Sequence, residues 1–275
     1  MRFTAYLFVI LLFLTACSRK GNDIADEEIA PTDSVVLADT TDSVEVKEVP
    51  VPKAADLMFD DFIYNFMSNK SFQNSRVKFP LSYTAHGETR KIEKKQWTFD
   101  SIYANQDIFL MIFPNESALE KRNTEKTTSV EVQELDFTRN NIKQYNFNKD
   151  EGRWTLSSIQ ENHLDKAPNR EFLQFYQKFA SDSIYREQHI HNPFTLVFQD
   201  EDTFEPVQGI ASPEQWCIYA PELPHKKITN VNYNQDIKDP TKVVLMIGTQ
   251  NGSMSSILTF RQQNGEWKLI KLENN

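Results

Sequence analysis

One stretch of this chain occurs twice, and it constrains the fold more than any bulk property. Residues 147–156 read Phe-Asn-Lys-Asp-Glu-Gly-Arg-Trp-Thr-Leu and residues 260–269 read Phe-Arg-Gln-Gln-Asn-Gly-Glu-Trp-Lys-Leu, so Phe, Gly, Trp and Leu coincide at an offset of 113. Each copy reads as a strand, a Gly-containing turn and a returning strand. At the same offset Phe59, Phe62 and Phe66 match Phe172, Phe175 and Phe179, while Ser68, Phe72 and Pro80 match Ser181, Tyr185 and Pro193. The middle drifts: Gln96-Trp97 matches Gln215-Trp216 at an offset of 119. Paired insertions and deletions of that kind belong in surface loops. The repeated unit is therefore a whole domain, and a tandem duplication is expected.

Each copy opens with aromatic residues three and four apart, Phe59/Phe62/Ile63/Phe66 and Phe172/Phe175/Tyr176/Phe179, which form one apolar helical face. Asn169 is positioned as an N-cap, and Ser68 and Ser181 are expected to end each helix and cap a second, shorter one. The period then changes to two. Val77, Phe79 and Leu81, and in the second copy Phe194, Leu196 and Phe198, mark a first strand. A second strand near Lys91 or Val207 leads to a short helix carrying Gln-Trp. Long strands follow at 108–113, 129–137 and 141–147, then at 242–249 and 253–260, with 154–159 and 267–272 closing each set as a meander. Helices first and antiparallel strands after is α+β order.

The amino terminus carries an address. Arg2 precedes an apolar run over residues 5–14, too short to span a bilayer and suited to the core of a secretory signal. Leu14-Thr15-Ala16-Cys17 resembles the bacterial lipobox, and by that resemblance residues 1–17 are a lipoprotein signal peptide and Cys17 is the acylated first residue of the mature protein. Several acyl chains, at about 0.8 kcal/mol per buried CH₂, make such an attachment to the membrane effectively permanent. After lipidation Cys217 is the remaining cysteine, so no intramolecular disulfide forms. Residues 18–55 hold nine acidic and four basic residues, three prolines and no aromatic residue, the composition of a disordered acidic tether. Asp33-Ser34-Val35, Asp39-Thr40-Thr41 and Asp42-Ser43-Val44 resemble the O-glycosylation sites of Bacteroidetes, which implies sugars on Ser34, Thr40 and Ser43. Composition alone also yields such triplets in an acidic linker, and both readings stay open.

Bulk numbers exclude two classes of function. Seven glycines, none closely grouped, leave no phosphate cradle, which argues against nucleotide-binding folds. A net charge of −9 argues against nucleic acid, whose binding rests on Lys and Arg. His189-Ile190-His191 has strand spacing for two ligands, but its counterpart Arg76-Val77-Lys78 binds no cation and no third ligand is near. Cys217 follows Trp216 and is expected to be a small buried residue. Asp100 is the carboxylate best placed for acid–base work, yet it aligns with Tyr219, so the copies cannot share a catalytic plan. Trp154 and Trp267 follow hairpin turns and read as core lids.

The order of elements, at about 105–110 residues per unit, resembles the nuclear-transport-factor-2-like (cystatin-like) cone fold. There a curved sheet wraps amino-terminal helices and leaves a cavity at its wide end. The lipobox, tether and two such units together resemble uncharacterised lipoprotein families of Bacteroidetes. The resemblance implies cone-like domains at 56–162 and 163–275, joined through 161–168. It puts Trp97, Trp216, Tyr103 and Tyr219 forward as contacts at the cavity mouths, against core packing as the alternative for the Trp pair. It supplies no catalytic, cofactor-binding or metal-ligating residue, and no cofactor is expected. The expected function is non-catalytic binding of a small molecule, glycan or envelope protein, anchored through Cys17 in the cell envelope on the outer membrane. The chain is a monomer with an internal pseudo-dimer, or a homodimer. The alternative is a cavity enzyme of isomerase, dehydratase or hydrolase type built on a buried carboxylate.

Overall fold

The computed structural model describes residues 55–200, 202–234, 239–249 and 255–274. The signal peptide, the tether up to residue 54, and with them Cys17, Ser34, Thr40 and Ser43, lie outside the described residues. In chain order the elements are α1 (Phe59–Ser68), α2 (Lys70–Ser75), β1 (Val77–Ala85), β2 (Glu88–Ile92), β3 (Ile108–Phe113), α3 (Glu116–Glu120), β4 (Ser129–Asp136), β5 (Asn141–Asp150) and β6 (Arg153–His163). Then come α4 (Arg170–Ser181), α5 (Ser183–Gln188), β7 (Ile190–Gln199), β8 (Pro206–Ala211), α6 (Trp216–Tyr219), β9 (Lys227–Asn232), β10 (Lys242–Thr249), β11 (Ser255–Gln263) and β12 (Glu266–Asn274). The fold is mixed α+β, with few helices on one large sheet.

The local chemistry explains the hairpins and the caps. Glu151-Gly152 and Asn264-Gly265 both take positive φ, as the two-residue turns that match strand twist require. The serines do not cap. Asn69 and Asp182, one residue further on, accept from the backbone N–H groups of Phe72 and of Ile184 and Tyr185, while the Ser68 and Ser181 hydroxyls donate back to Tyr64 and Gln177 carbonyls. Asn169 holds the N-cap position without a side-chain bond. Pro80 and Pro193 lie inside β1 and β7, each after a cis peptide bond.

The twelve described strands run β2-β1-β6-β5-β4-β9-β3-β10-β11-β12-β7-β8. That order reads the same from either end when each strand of the first half is exchanged with its counterpart six places later. The centre departs from the expected meander. β3 makes no pairing with β4; it pairs antiparallel with β10, from Phe113↔Val244 to Ile108↔Thr249. β9 pairs antiparallel with β4 over Glu131↔Asn232 to Asp136↔Lys227. Each half thus lends one strand to the other, and β9 is a strand that no alternating pattern announced. α3 was likewise not expected, and 161–163, read as linker, finish β6.

Two cores result. Core one gathers Phe59, Phe62, Phe66, Phe147 and Trp154 with Val231 and Val244 from the second half, and core two gathers Phe172, Phe175, Phe179, Phe260 and Trp267 with Leu110 and Leu135 from the first. Neighbouring residues on a strand point to opposite faces. Val244 belongs to core one and Leu245 to core two, as Met111 and Leu110 do, so the two cores lie on opposite faces of the sheet. β3 and β9 run parallel with a single register pair, Leu110↔Asn230. There the buried Asn230 side chain accepts from the Ile112 N–H at 2.9 Å and donates to Gln133 at 2.8 Å, standing in for the missing ladder bonds. On the other side of β3, Gly248 of β10 faces Phe109, and a Cβ there would meet the ring at 3.0 Å.

Candidate functional site

An open cleft of about 650 Å³ lies in the second half, lined by Ala180 and Arg186, by Trp216 and Cys217, and by the whole run 220–227. α4 contributes Ala180 to the lining and α5 contributes Arg186. Trp216 is buried against Phe179 at 5.9 Å and Phe194 at 6.3 Å between ring centroids. Ser212 and Gln215 form a reciprocal capping box that fixes the entry to α6. The Tyr176 hydroxyl donates to the Pro224 carbonyl at 2.9 Å and ties the irregular 220–226 run onto α4. Arg186, His225, Lys226 and Lys227 share the lining with one carboxylate, Glu222. Lys227 lies 3.4 Å from Glu134. Arg186 Nη1 donates to the carbonyls of Phe179 and Ala180 at the end of α4, and burial lowers its pKa from the usual guanidinium value.

The equivalent place in the first half is closed by an amide. Gln73, fully buried at the position matching Arg186, donates to the carbonyls of Phe66 and Asp100 and accepts from Trp97 Nε1 at 3.2 Å and from the Asp100 N–H at 2.9 Å. Trp97 is half-buried, with its ring 6.3 Å from Phe79.

Beside Gln73 lies a polar cluster with no counterpart in the second half. The Tyr145 hydroxyl is 2.8 Å from Asp100 Oδ2 and 3.0 Å from Glu134 Oε2, and Lys143 Nζ is 3.0 Å from Asp100 Oδ2. One hydroxyl carries one proton, so it serves one carboxylate at a time or splits between them. Burial pushes the Asp100 carboxyl up, but Lys143, the Ile102 N–H and Tyr145 together hold it below the ordinary carboxylate value. Burial, then the Asp100 and Glu134 carboxylates, drive the Tyr145 pKa far up, so the phenol stays protonated. At the matching positions the second half has Tyr219, Ile247, Ser256 and Leu258.

Of the four sequence candidates, Trp216 lines the cleft. Trp97 is engaged with Gln73. Tyr103 is buried in core one, where burial and the Asp60 carboxylate raise its pKa. Tyr219 packs half-buried on core two, its carbonyl accepting from Asn274 at 2.9 Å. Cys217 is exposed, contrary to the buried position expected, because α6 spans only 216–219 and turns Trp216 alone inward. Its Sγ has only the Glu214 carbonyl, at 3.9 Å, as partner. His189 and His191 bond the carbonyls of Tyr185 and Pro193, each at 2.7 Å. Among the described residues no group of three or more His, Cys, Asp or Glu is placed to hold a metal ion, and no helix is long and apolar enough to cross a membrane. Arg186, Lys226 and Lys227 escaped the sequence reading. The Gln73-to-Arg186 exchange at the constant offset was the signal that could have found Arg186; Lys226 and Lys227 carried none.

Helices packed on one large sheet, with a cleft beside the short Trp-bearing helix, define an α+β protein of the NTF2-like kind. A solved structure described as an NTF2-like protein from Bacteroides fragilis NCTC 9343 is similar at 32% identity and a TM-score of 0.75, covering 82% of this chain and 99% of that chain. A family model described as Domain of unknown function (DUF4348) matches residues 38–274, and the chain belongs to that family. No curated protein matches it.

Proposed function

We propose that this protein is a lipid-anchored envelope protein, built from two duplicated cone-like domains with one strand exchanged, that binds a small molecule in the Trp216 cleft without transforming it. The observation that carries the reading is the asymmetry between the halves: about 650 Å³ stands open beside Trp216, while Gln73 fills the matching place beside Trp97. A cleft of this size, with an aromatic wall and a few converging polar groups, suits a small ligand. Binding is favoured over chemistry because the cleft thiol of Cys217 makes its hydrogen bond to the Glu214 backbone carbonyl, at 3.9 Å, and not to a side-chain base. The Leu14-Thr15-Ala16-Cys17 box supports anchoring at Cys17, and Ser18 after it, in place of an Asp, supports placement on the outer membrane. The strand order, alike from both ends, supports duplication and a monomer holding an internal pseudo-dimer. Sugars on Ser34, Thr40 and Ser43 belong to the same proposal.

Native mass spectrometry of the protein from its host tests the whole reading. A co-purified molecule, lost on Trp216→Ala, and a mature mass carrying lipid at Cys17 are expected. An unmodified Cys17 removes the anchor, an unmodified tether removes the sugars, and a ligand untouched by Trp216→Ala moves the site elsewhere.

A second reading has one observation behind it: Asp100, Glu134 and Tyr145 form a proton-sharing set at the polar end of core one, as a cavity enzyme of isomerase, dehydratase or hydrolase type needs. Turnover of the co-purified molecule, abolished by Asp100→Asn, would replace binding by catalysis; recovery of that molecule unchanged after prolonged incubation retires the enzyme.

A further inference from the structure

We infer that the Trp216 cleft selects small organic anions, a carboxylate or phosphate joined to an apolar body, with Arg186 and the Trp216 indole N–H as the donors that seize the oxyanion. The inference rests on the binding reading above and names the ligand class for it. Its warrant is a comparison that the molecule makes with itself. In the first half the indole N–H of Trp97 and the Asp100 N–H converge on one acceptor, Gln73 Oε1. The residue at the matching position of the second half is Arg186, which has donors only. Trp216 therefore keeps its indole N–H without a protein acceptor among the described residues. Arg186 commits Nη1 to two carbonyls and leaves Nε and Nη2 without a protein partner there.

Donors that the fold gathers without an acceptor are a demand for one. A neutral carbonyl would satisfy the N–H but leave the guanidinium with no ion pair among the described residues, only the longer-range attraction of Asp182, whereas an oxyanion satisfies both and forms the stronger, charge-assisted bonds. The surroundings agree. The chain carries a net charge of −9, yet this cleft sets Arg186, His225, Lys226 and Lys227 against Glu222 alone, with Lys227 shared with Glu134. Ala180, Pro221, Leu223 and Pro224 complete the lining and give an apolar body somewhere to lie.

The test uses matched probes on the full mature chain: 2-naphthoate, 1-naphthyl phosphate and the neutral 2-naphthamide. The readout is the ¹H–¹⁵N resonance of the Trp216 indole, assigned by its loss in Trp216→Phe. Both anions are expected to shift that resonance and to bind ~10-fold or more tightly than the amide, while the Trp97 indole, already bonded to Gln73, stays still. Arg186→Gln, which rebuilds the first half's arrangement, should lower anion affinity ~10-fold or more, with Arg186→Lys retaining part of it. Should Arg186→Gln not fold, Lys226→Gln and a rise in salt must each weaken the anions and spare the amide. Equal binding of naphthoate and naphthamide, or anion binding indifferent to residue 186, overturns the anion inference and leaves the cleft a binding site. Silence of the Trp216 resonance to all three probes overturns the inference as well, and the co-purification experiment then decides the binding reading separately. If phosphate binds and naphthoate does not, the carboxylate half of the class is wrong.

Discussion

Replacing Gln73 by Leu tests how the first half is held shut. Leucine nearly conserves volume and removes both polar atoms, so the loss is one of hydrogen bonds and not of packing. Four groups lose their partner: the Phe66 and Asp100 carbonyls, the Trp97 indole N–H and the Asp100 N–H. Gln73 and Phe66 are fully buried, so water does not replace the amide at the Phe66 carbonyl. A buried group without a partner costs about 1–3 kcal/mol, and a group that water reaches about 1 kcal/mol or less. The sum is about 1–6 kcal/mol, set against the roughly 5–15 kcal/mol that holds a domain together, and lowers Tm by about 2–4 °C for each kcal/mol lost. Urea unfolding followed by tryptophan fluorescence measures it. The control is Arg186→Leu, where the residue lost is half-exposed and bonds two carbonyls only, so about 2 kcal/mol or less is expected. A Gln73→Leu cost below about 1 kcal/mol, or one equal to that of the control, would refute the view that this amide is the internal plug of the first half.

Four further outcomes follow from the same structure. Asp100 has its folded pKa held down, so its pairing with Lys143 contributes stability above the unfolded carboxylate range and loses it as pH falls through the folded value; Asp100→Asn should cost about 1–2 kcal/mol at pH 7, discounted for its partial exposure, and progressively less as acid protonates the wild-type carboxyl. Asp60 shows the opposite sign: burial first, offset in part by the Tyr233 hydroxyl 2.7 Å away, raises its pKa, so wild-type stability falls as pH rises from the unfolded value to the folded one, and Asp60→Asn should flatten that fall. Asp60 keeps an exposed edge, so the slope and not a large energy is the observable; unchanged pH–stability curves in both variants would contradict the assignments. A fragment of residues 56–162 should not be a folded monomer, because β3 pairs only with β9 and β10 and one edge of β4 is paired by β9; a monomer that unfolds cooperatively in ultracentrifugation and calorimetry runs disproves the exchange. In a Cys17→Ser chain the exposed Cys217 should titrate fully with a thiol reagent under native conditions, and an adduct there should block naphthoate; a thiol that reacts only in denaturant contradicts its place in the cleft.

The helical faces and hairpins were legible because their causes are local. Phe59, Phe62 and Phe66 stand three and four apart and are all fully buried, and Asn264-Gly265 takes the positive φ pair that its dipeptide announces. The cleft was half legible. Trp216 stood out as a large aromatic in a matched pair, but no motif in the sequence set Arg186 apart. The constant offset matches Arg186 to Gln73, and the hydrogen bond from Trp97 to Gln73 shows what that exchange removes. Cys217 was misplaced for a similar reason, since a helix of four residues has too little length for its pattern to say which side faces in.

The sequence by itself determined the units: two matching runs of helix and strand, each ended by Phe-x₄-Gly-x-Trp-x-Leu, whose Phe and Trp now sit in the cores against Phe59 and Phe172. The tertiary structure alone decided which strand edges meet. Ile108–Phe113 is apolar at every position because β3 lies between two cores and serves both, Leu110 one and Met111 the other. Such a run announces burial on both faces. It carries no mark of the neighbour, because ladder bonds are made by backbone groups that every residue shares. Hence β3 could be foreseen as a strand, while its pairing with β10 rather than β4, and with it the single sheet that unites the halves, is a property of the folded whole.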